Sequence, residues 1–201
     1  IEVTFTVPRA IDIIAEVRRK LGDRILLGAG TVLDTETARA ALLAGAEFIV
    51  SPTVNVDVIR LCNRYDKLIM PGAFTPTEVL SAWEAGADVI KIPITGGLLV
   101  HGGRDAFALT YTDEEMRAAV EEAHRFGRRV TVHCLGMDGI KQAHRVGVDM
   151  IEHYTHLAGP DDLGFGARAG ATHLDVERAP APADPVAPSG AHLRHPFFQV
   201  L

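Results

Sequence analysis

Cysteine is scarce in this chain: 201 residues hold two, Cys62 and Cys134. Their wide separation excludes the disulfide framework that staples small secreted domains. No basic block is present and the net charge is −6 at pH 7, which excludes nucleic acid and anionic membrane surfaces as expected partners. No apolar run is long enough to span a bilayer, and no signal-peptide pattern stands at the start. A cytoplasmic setting is the expectation. The single tryptophan, Trp83, lies on a helical pattern and reads as core packing. The chain opens at Ile1 inside an apolar run, so a first strand is expected to precede it. What remains is ordinary globular composition, 47% hydrophobic and 23% charged, sufficient at this length for one sizeable core.

Short runs rich in valine and isoleucine alternate with helical periodicity. The strand pattern predicts Ile1–Phe5, Ile25–Gly28, Phe48–Ser51, Leu68–Met70, Val89–Ile92, Arg129–His133 and Met150–His153. The helical pattern predicts Ala10–Leu21, Thr35–Ala44, Asn55–Tyr65, Pro76–Ala85, Asp113–Phe126 and Met137–Val146. Thr35, Asn55, Thr75 and Thr112 stand where N-caps belong. Asp113-Glu114-Glu115 suits a first helical turn, where carboxylates meet the positive end of the dipole.

A short echo recurs. Ala44-Gly45-Ala46-Glu47-Phe48-Ile49 parallels Ala85-Gly86-Ala87-Asp88-Val89-Ile90 and Val146-Gly147-Val148-Asp149-Met150-Ile151. Each time a helix closes on glycine, an acid follows, and a strand begins. The strands recur about every 20 residues, the size of one βα unit, with a longer gap after Lys91. The fold class expected is α/β: an incomplete (β/α)8 barrel of the TIM type over residues 1–157, its first strand missing. No Gly-x-Gly-x-x-Gly fingerprint supports a doubly wound sheet. Residues 158–201 lose periodicity and include the proline-rich stretch Arg178–Ser189. They read as an irregular tail that buries little.

Lys91 lies within the apolar strand Val89–Pro93. Burying an unpaired ammonium is costly, and a lysine driven towards neutrality is a nucleophile for carbonyl carbon. In a barrel, active groups sit at the C-terminal ends of strands. Glu2 and Thr4 share one face there by alternation. Gly28-Ala29-Gly30-Thr31 reads as a turn whose N–H groups approach a carboxylate, with the Thr31 hydroxyl as an added donor. His133, Glu152 and His153 end the last two strands. Lys91 with Glu2 suits Schiff-base chemistry with proton transfer. The remaining histidines, His124 and His144 among them, are expected to be solvated.

Residues 1–93 resemble the 2-keto-3-deoxy-6-phosphogluconate / 4-hydroxy-2-oxoglutarate aldolase family. The resemblance rests on Ile1-Glu2-Val3-Thr4-Phe5-Thr6, Gly28-Ala29-Gly30-Thr31-Val32, Ala44–Pro52, Met70-Pro71-Gly72 and Ile90-Lys91, in family order. It implies a class I aldolase without a cofactor or catalytic metal, cleaving a 4-hydroxy-2-oxo acid to pyruvate and an aldehyde. By that resemblance Lys91 is the Schiff-base lysine and Glu2 the general acid/base. Thr31 and Pro71 shape the pyruvyl pocket, with Gly28, Gly30 and Thr6 beside them. Thr6 stands where many members carry arginine. A homotrimer is implied as well. The family's phosphate-holding turns are not matched after Pro93, so a phosphorylated substrate is not expected.

Residues 87–157 are similar instead to the middle of a metal-dependent amidohydrolase of the imidazolonepropionase/prolidase type. Ile90-Lys91-Ile92, Thr95-Gly96-Gly97, Tyr111–Glu115, Val130–His133 and Gly147–His153 carry that likeness. It implies Lys91, His133 and His153 as metal ligands. The family's first-strand His-x-His pair and its last-strand aspartate have no match here. The two resemblances overlap on Gly86–Lys91, as they would in a chimera, and a catalytically inactive barrel fragment is the remaining expectation.

Overall fold

The computed structural model describes residues 1–96 and 106–155. The expected tail from residue 158 onward lies outside them, as do His101, His156, His173, His192 and His195.

Parallel strands alternate with helices throughout. The first half runs β1 (Glu2–Thr4), α1 (Ala10–Leu21), β2 (Gly28–Gly30), α2 (Thr35–Ala44), β3 (Phe48–Ser51), α3 (Val56–Arg64) and β4 (Leu68–Pro71). The second runs α4 (Pro76–Glu84), β5 (Val89–Pro93), α5 (Asp113–Arg125), β6 (Arg129–Leu135), α6 (Met137–Val146) and β7 (Met150–Thr155). β1 to β4 pair in chain order, as do β5 to β7. A parallel bridge from Gly72 to Lys91 and a bond from Ala73 N–H to the Lys91 carbonyl (2.8 Å) join the two sheets. Strand order therefore never reverses, which is barrel topology. Among the described residues no ladder joins β7 to β1.

Alternation sorts the strand residues into two layers. Ala29, Ile49, Ile69, Ile90, Ile92, Val130 and Val132 face the helices and form the main core with Ile14, Val58, Val79, Met116 and Ile140. Phe48, Val50 and Met70 face the other way and fill the barrel interior. Gly28 makes room for this inner cluster, because a Cβ there would stand 2.1 Å from the Phe48 ring. Trp83 stacks on Phe126 at 4.4 Å and packs α4 against the end of α5.

The repeated glycine–acid step has a physical function. Glu47, Asp88 and Asp149 each accept a backbone N–H of the preceding strand or its approach: Leu27 at 3.2 Å, Ile69 at 3.0 Å and Val130 at 2.7 Å. Their own N–H groups donate to the carbonyls of the same three residues. Each acid thus latches its strand to the one before, at the end of the barrel opposite the mouth. His124 is part of one latch, 2.8 Å from Asp149, rather than simply solvated. That bond raises its pKa, with burial opposing.

Two local expectations change. The second strand is Gly28–Gly30, not Ile25–Gly28, because its pairing with Glu2–Thr4 sets the register. Asp34 caps α2, accepting from Thr37 N–H at 2.6 Å, and Thr35 is already helical. Asn55, Thr75 and Thr112 cap as expected, Thr112 in a complete capping box with Glu115.

Candidate active site

β5 alternates between buried and half-buried positions. Ile90 and Ile92 anchor it against the helices, which turns Val89, Lys91 and Pro93 towards the barrel interior. The Lys91 side chain is 13% exposed and its ammonium is paired with Glu152, itself 5% exposed. Thr131, on the strand between them, donates its hydroxyl to the other oxygen of Glu152 at 3.1 Å. The two carboxylate oxygens thus have different partners, one a charge and one a hydroxyl. This is how a buried ion pair is satisfied.

Glu2 reaches the same centre from β1. Burial pushes its carboxyl above the ordinary carboxylate range; the Lys91 charge opposes the shift and the Glu152 charge adds to it. A lysine is thereby flanked by a carboxylate from β7 and by a more readily protonated carboxyl from β1. Gly30 is what admits Glu2, since a Cβ at Gly30 would fall 1.7 Å from its Oε1.

The glycine segment differs from the expected turn. Gly28 N–H is taken by the Ile1 carbonyl at 2.8 Å, and the Gly30 carbonyl by Phe5 N–H at 2.8 Å. Gly28 N–H is therefore not a free donor, and both glycines leave space inside β2. Thr31 follows the strand in the left-handed region, φ 57°, and its hydroxyl is 2.7 Å from that of Thr4. Thr6 is exposed and extends the chain of hydroxyls, 3.2 Å from Thr4 Oγ1. Pro71 is buried at the end of β4, level with Ser51.

His133 and His153 meet edge to face, His133 Nδ1 3.0 Å from His153 Nε2. Burial first, then the neighbouring His153 and Lys91 charges, hold His133 down to about 4. Burial also lowers His153. Glu152 joins them: the ligand-type atoms of His133, Glu152 and His153 all lie within 4.8 Å of one another. Lys91, expected as a third ligand with the two histidines, is instead engaged by Glu152. A lysine held as an ammonium partner does not fit the metal-bridging role implied by the amidohydrolase likeness. Sequence reasoning placed Glu152 at the mouth but gave it no part. The signal for it was weak, because Glu152 and Lys91 stand 61 residues apart.

An amine and two carboxyl groups at the mouth of a parallel α/β barrel define a class of site suited to Schiff-base chemistry. The KDPG and KHG aldolase family model matches residues 1–116, and the chain belongs to that family. The match runs past Pro93, where the recognisable motifs end. A 2-dehydro-3-deoxy-phosphogluconate aldolase of Treponema pallidum is 44% identical over 90 residues, 45% of this chain and 42% of that protein. An ochratoxinase of Aspergillus niger is 37% identical over 71 residues, 35% of this chain and 15% of that protein. The chain spans less than half the length of these curated relatives. The solved structure of native KDPGal has a TM-score of 0.62 at 23% identity, covering 85% of this chain and 78% of that one, and shares the fold. No helix among the described residues is long and apolar enough to cross a membrane.

Proposed function

We propose that this chain acts as a class I aldolase, cleaving a 4-hydroxy-2-oxo acid of the 2-keto-3-deoxy sugar-acid type to pyruvate and an aldehyde. The carrying observation is that Lys91, half-buried on the inner face of β5, is paired with Glu152 and close enough to Glu2 for its charge to act on that carboxyl. Lys91 passes its proton to Glu152 and adds as the free amine to the 2-oxo carbon; that proton then leaves with the carbinolamine hydroxyl as water, giving the iminium. The C3–C4 electrons then flow into that iminium as Glu2, through a water, takes the proton of the C4 hydroxyl. The aldehyde leaves, Glu2 returns a proton to C3 of the enamine, and hydrolysis releases pyruvate and the amine. Burial favours a proton on Glu2, which suits a group that must hold and return one.

Thr31 and Pro71 contribute to the pocket for the pyruvyl end, with the Thr4 and Thr6 hydroxyls beside it. Gly28 and Gly30 serve by their lack of side chains. The barrel is read as one domain, and family likeness makes a homotrimer in the cytoplasm the working assembly. The test is intact mass after incubation with pyruvate and borohydride, wild type beside Lys91→Ala. The expected result is a reduced pyruvyl adduct on wild type alone. A folded wild-type protein without adduct overturns the reading.

A further inference from the structure

Thr131 places a buried hydroxyl where a methyl group would fill the same space. It lies within β6 and is 1% exposed. Its neighbours Val130 and Val132 belong to the helix-facing core, so its own side chain turns to the barrel interior. Valine and threonine share a shape there, and only the hydroxyl distinguishes them. Register puts that hydroxyl at a particular point. Lys91 pairs with Thr131 from β5, and Thr131 pairs with Met150 on β7. Glu152 shares the face of Met150 by alternation, and its carboxylate reaches back to Lys91 and Thr131. Pairing is regular as far as His133 with Glu152; the register shifts only beyond them, where His153 takes φ 74°.

Thr131 donates to Glu152 Oε1 at 3.1 Å, while Lys91 is held by Oε2. The hydroxyl therefore claims one oxygen and leaves the other to the amine. That division survives proton transfer. As carboxylate or as carboxylic acid, Glu152 keeps an acceptor at Oε1, so a proton taken from Lys91 settles on Oε2, facing the atom it came from. The donor is also rigid. A β-branched side chain is restricted at χ1, and β6 is bonded to a strand on each side. An acceptor fixed before reaction needs no reorganisation when charge moves.

We propose that Thr131 is a positioning residue for iminium formation: its hydroxyl holds Glu152 so that Oε2 takes the Lys91 proton and returns it to the departing carbinolamine hydroxyl. The inference rests on the aldolase reading and deepens it. Thr131 touches no reacting atom and acts through Glu152. Its influence falls on formation and hydrolysis of the iminium, because proton transfer at C3 and at the C4 hydroxyl belongs to Glu2.

The test is the time course of pyruvyl adduct formation, quenched with borohydride and read by intact mass, in wild type, Thr131→Val and Thr131→Ser. The valine variant should form adduct about 10- to 100-fold more slowly, as a misplaced catalytic group does, with half-saturating pyruvate within about threefold of wild type. Serine keeps the donor and should restore the rate to within about threefold. Exchange of pyruvate methyl protons, per adduct formed, should match wild type throughout, since Glu2 performs it. Thr131→Val added to Glu152→Gln should slow adduct formation by less than about threefold more, because the hydroxyl has lost the carboxylate it positions. Circular dichroism checks folding, and Thr131→Cys replaces a valine variant that does not fold. Four results would overturn the proposal: a valine variant as fast as wild type, a rate loss matched by an equal rise in half-saturating pyruvate, a serine variant as slow as the valine one, or losses that multiply in the double variant. A wild type without adduct removes the aldolase reading and this role together, whereas a wild type with adduct and a valine variant that equals it removes this role alone.

Discussion

Removing one member of the Lys91–Glu152 pair should cost far more than removing both. The side chains are 13% and 5% exposed, so solvent screens them little. Truncating one partner of such a pair typically costs about 3–5 kcal/mol, because a buried charge is left without its counter-charge. In Lys91→Met the apolar stem is kept, and Glu152 retains the Thr131 hydroxyl, with His153 Nε2 4.0 Å away; a loss of about 3 kcal/mol is expected. That is a large share of a domain's usual stability of about 5–15 kcal/mol. In Lys91→Met/Glu152→Gln neither member of the pair is charged, the amide still accepts from Thr131, and the net cost should fall to about 1 kcal/mol or less. The double variant should therefore be more stable than Lys91→Met, with a coupling of about 2 kcal/mol or more. Urea unfolding at pH 7, followed by circular dichroism, measures all four corners of the cycle. Additive losses, with coupling below about 0.5 kcal/mol, would refute the pairing as an energetic unit.

Other expectations follow from single contacts. Gly30→Ala should displace Glu2, whose Oε1 lies 1.7 Å from the new methyl position; exchange of pyruvate methyl protons with deuterium should fall about 10²-fold, while borohydride trapping at Lys91 stays within a few-fold. Asp88→Ala leaves the Ile69 N–H without its acceptor and should cost about 1–3 kcal/mol in urea unfolding without altering trapping. The pKa of His124 is raised by its bond to Asp149, so its stabilising contribution is complete below the unfolded value of about 6.5 and is lost as pH rises through the folded one. Comparing unfolding at pH 5.5 and 8.5 in wild type and His124→Gln checks this; an identical pH response in both proteins would defeat it.

Much of the architecture was legible because two periodicities and punctuation by glycine determine it locally. α1, α2 and α6 run as their patterns indicate, to the residue. β2 was misplaced by a few residues because Ile25, Leu26 and Leu27 carry the apolar signal. Register there depends on β1 and on the space that Phe48 and Glu2 require, which is information held by other strands. Lys91 was conspicuous since a lysine in an apolar strand needs an explanation. Glu152 was not, because an acid at a strand end is common and its partner lies two strands away in the sheet, 61 residues earlier in the chain. The meeting of His133 with His153 was hidden more deeply: it depends on one residue's positive φ, which no alternation pattern encodes.

The glycine–acid latches bear on how such a chain can be rearranged. Each acid holds the strand that precedes its own through two reciprocal bonds, so the units that enter β3, β5 and β7 each arrive carrying their own connector to the neighbour before. A crossover placed just before Gly86 keeps the glycine, acid and strand start on one side of the cut, and the connector from Asp88 to Ile69 survives. A crossover in mid-helix divides an apolar face between parents and risks mismatched packing. Recombination between barrels of this kind therefore has natural seams, and shuffled libraries cut at those seams should yield folded proteins more often than libraries cut elsewhere.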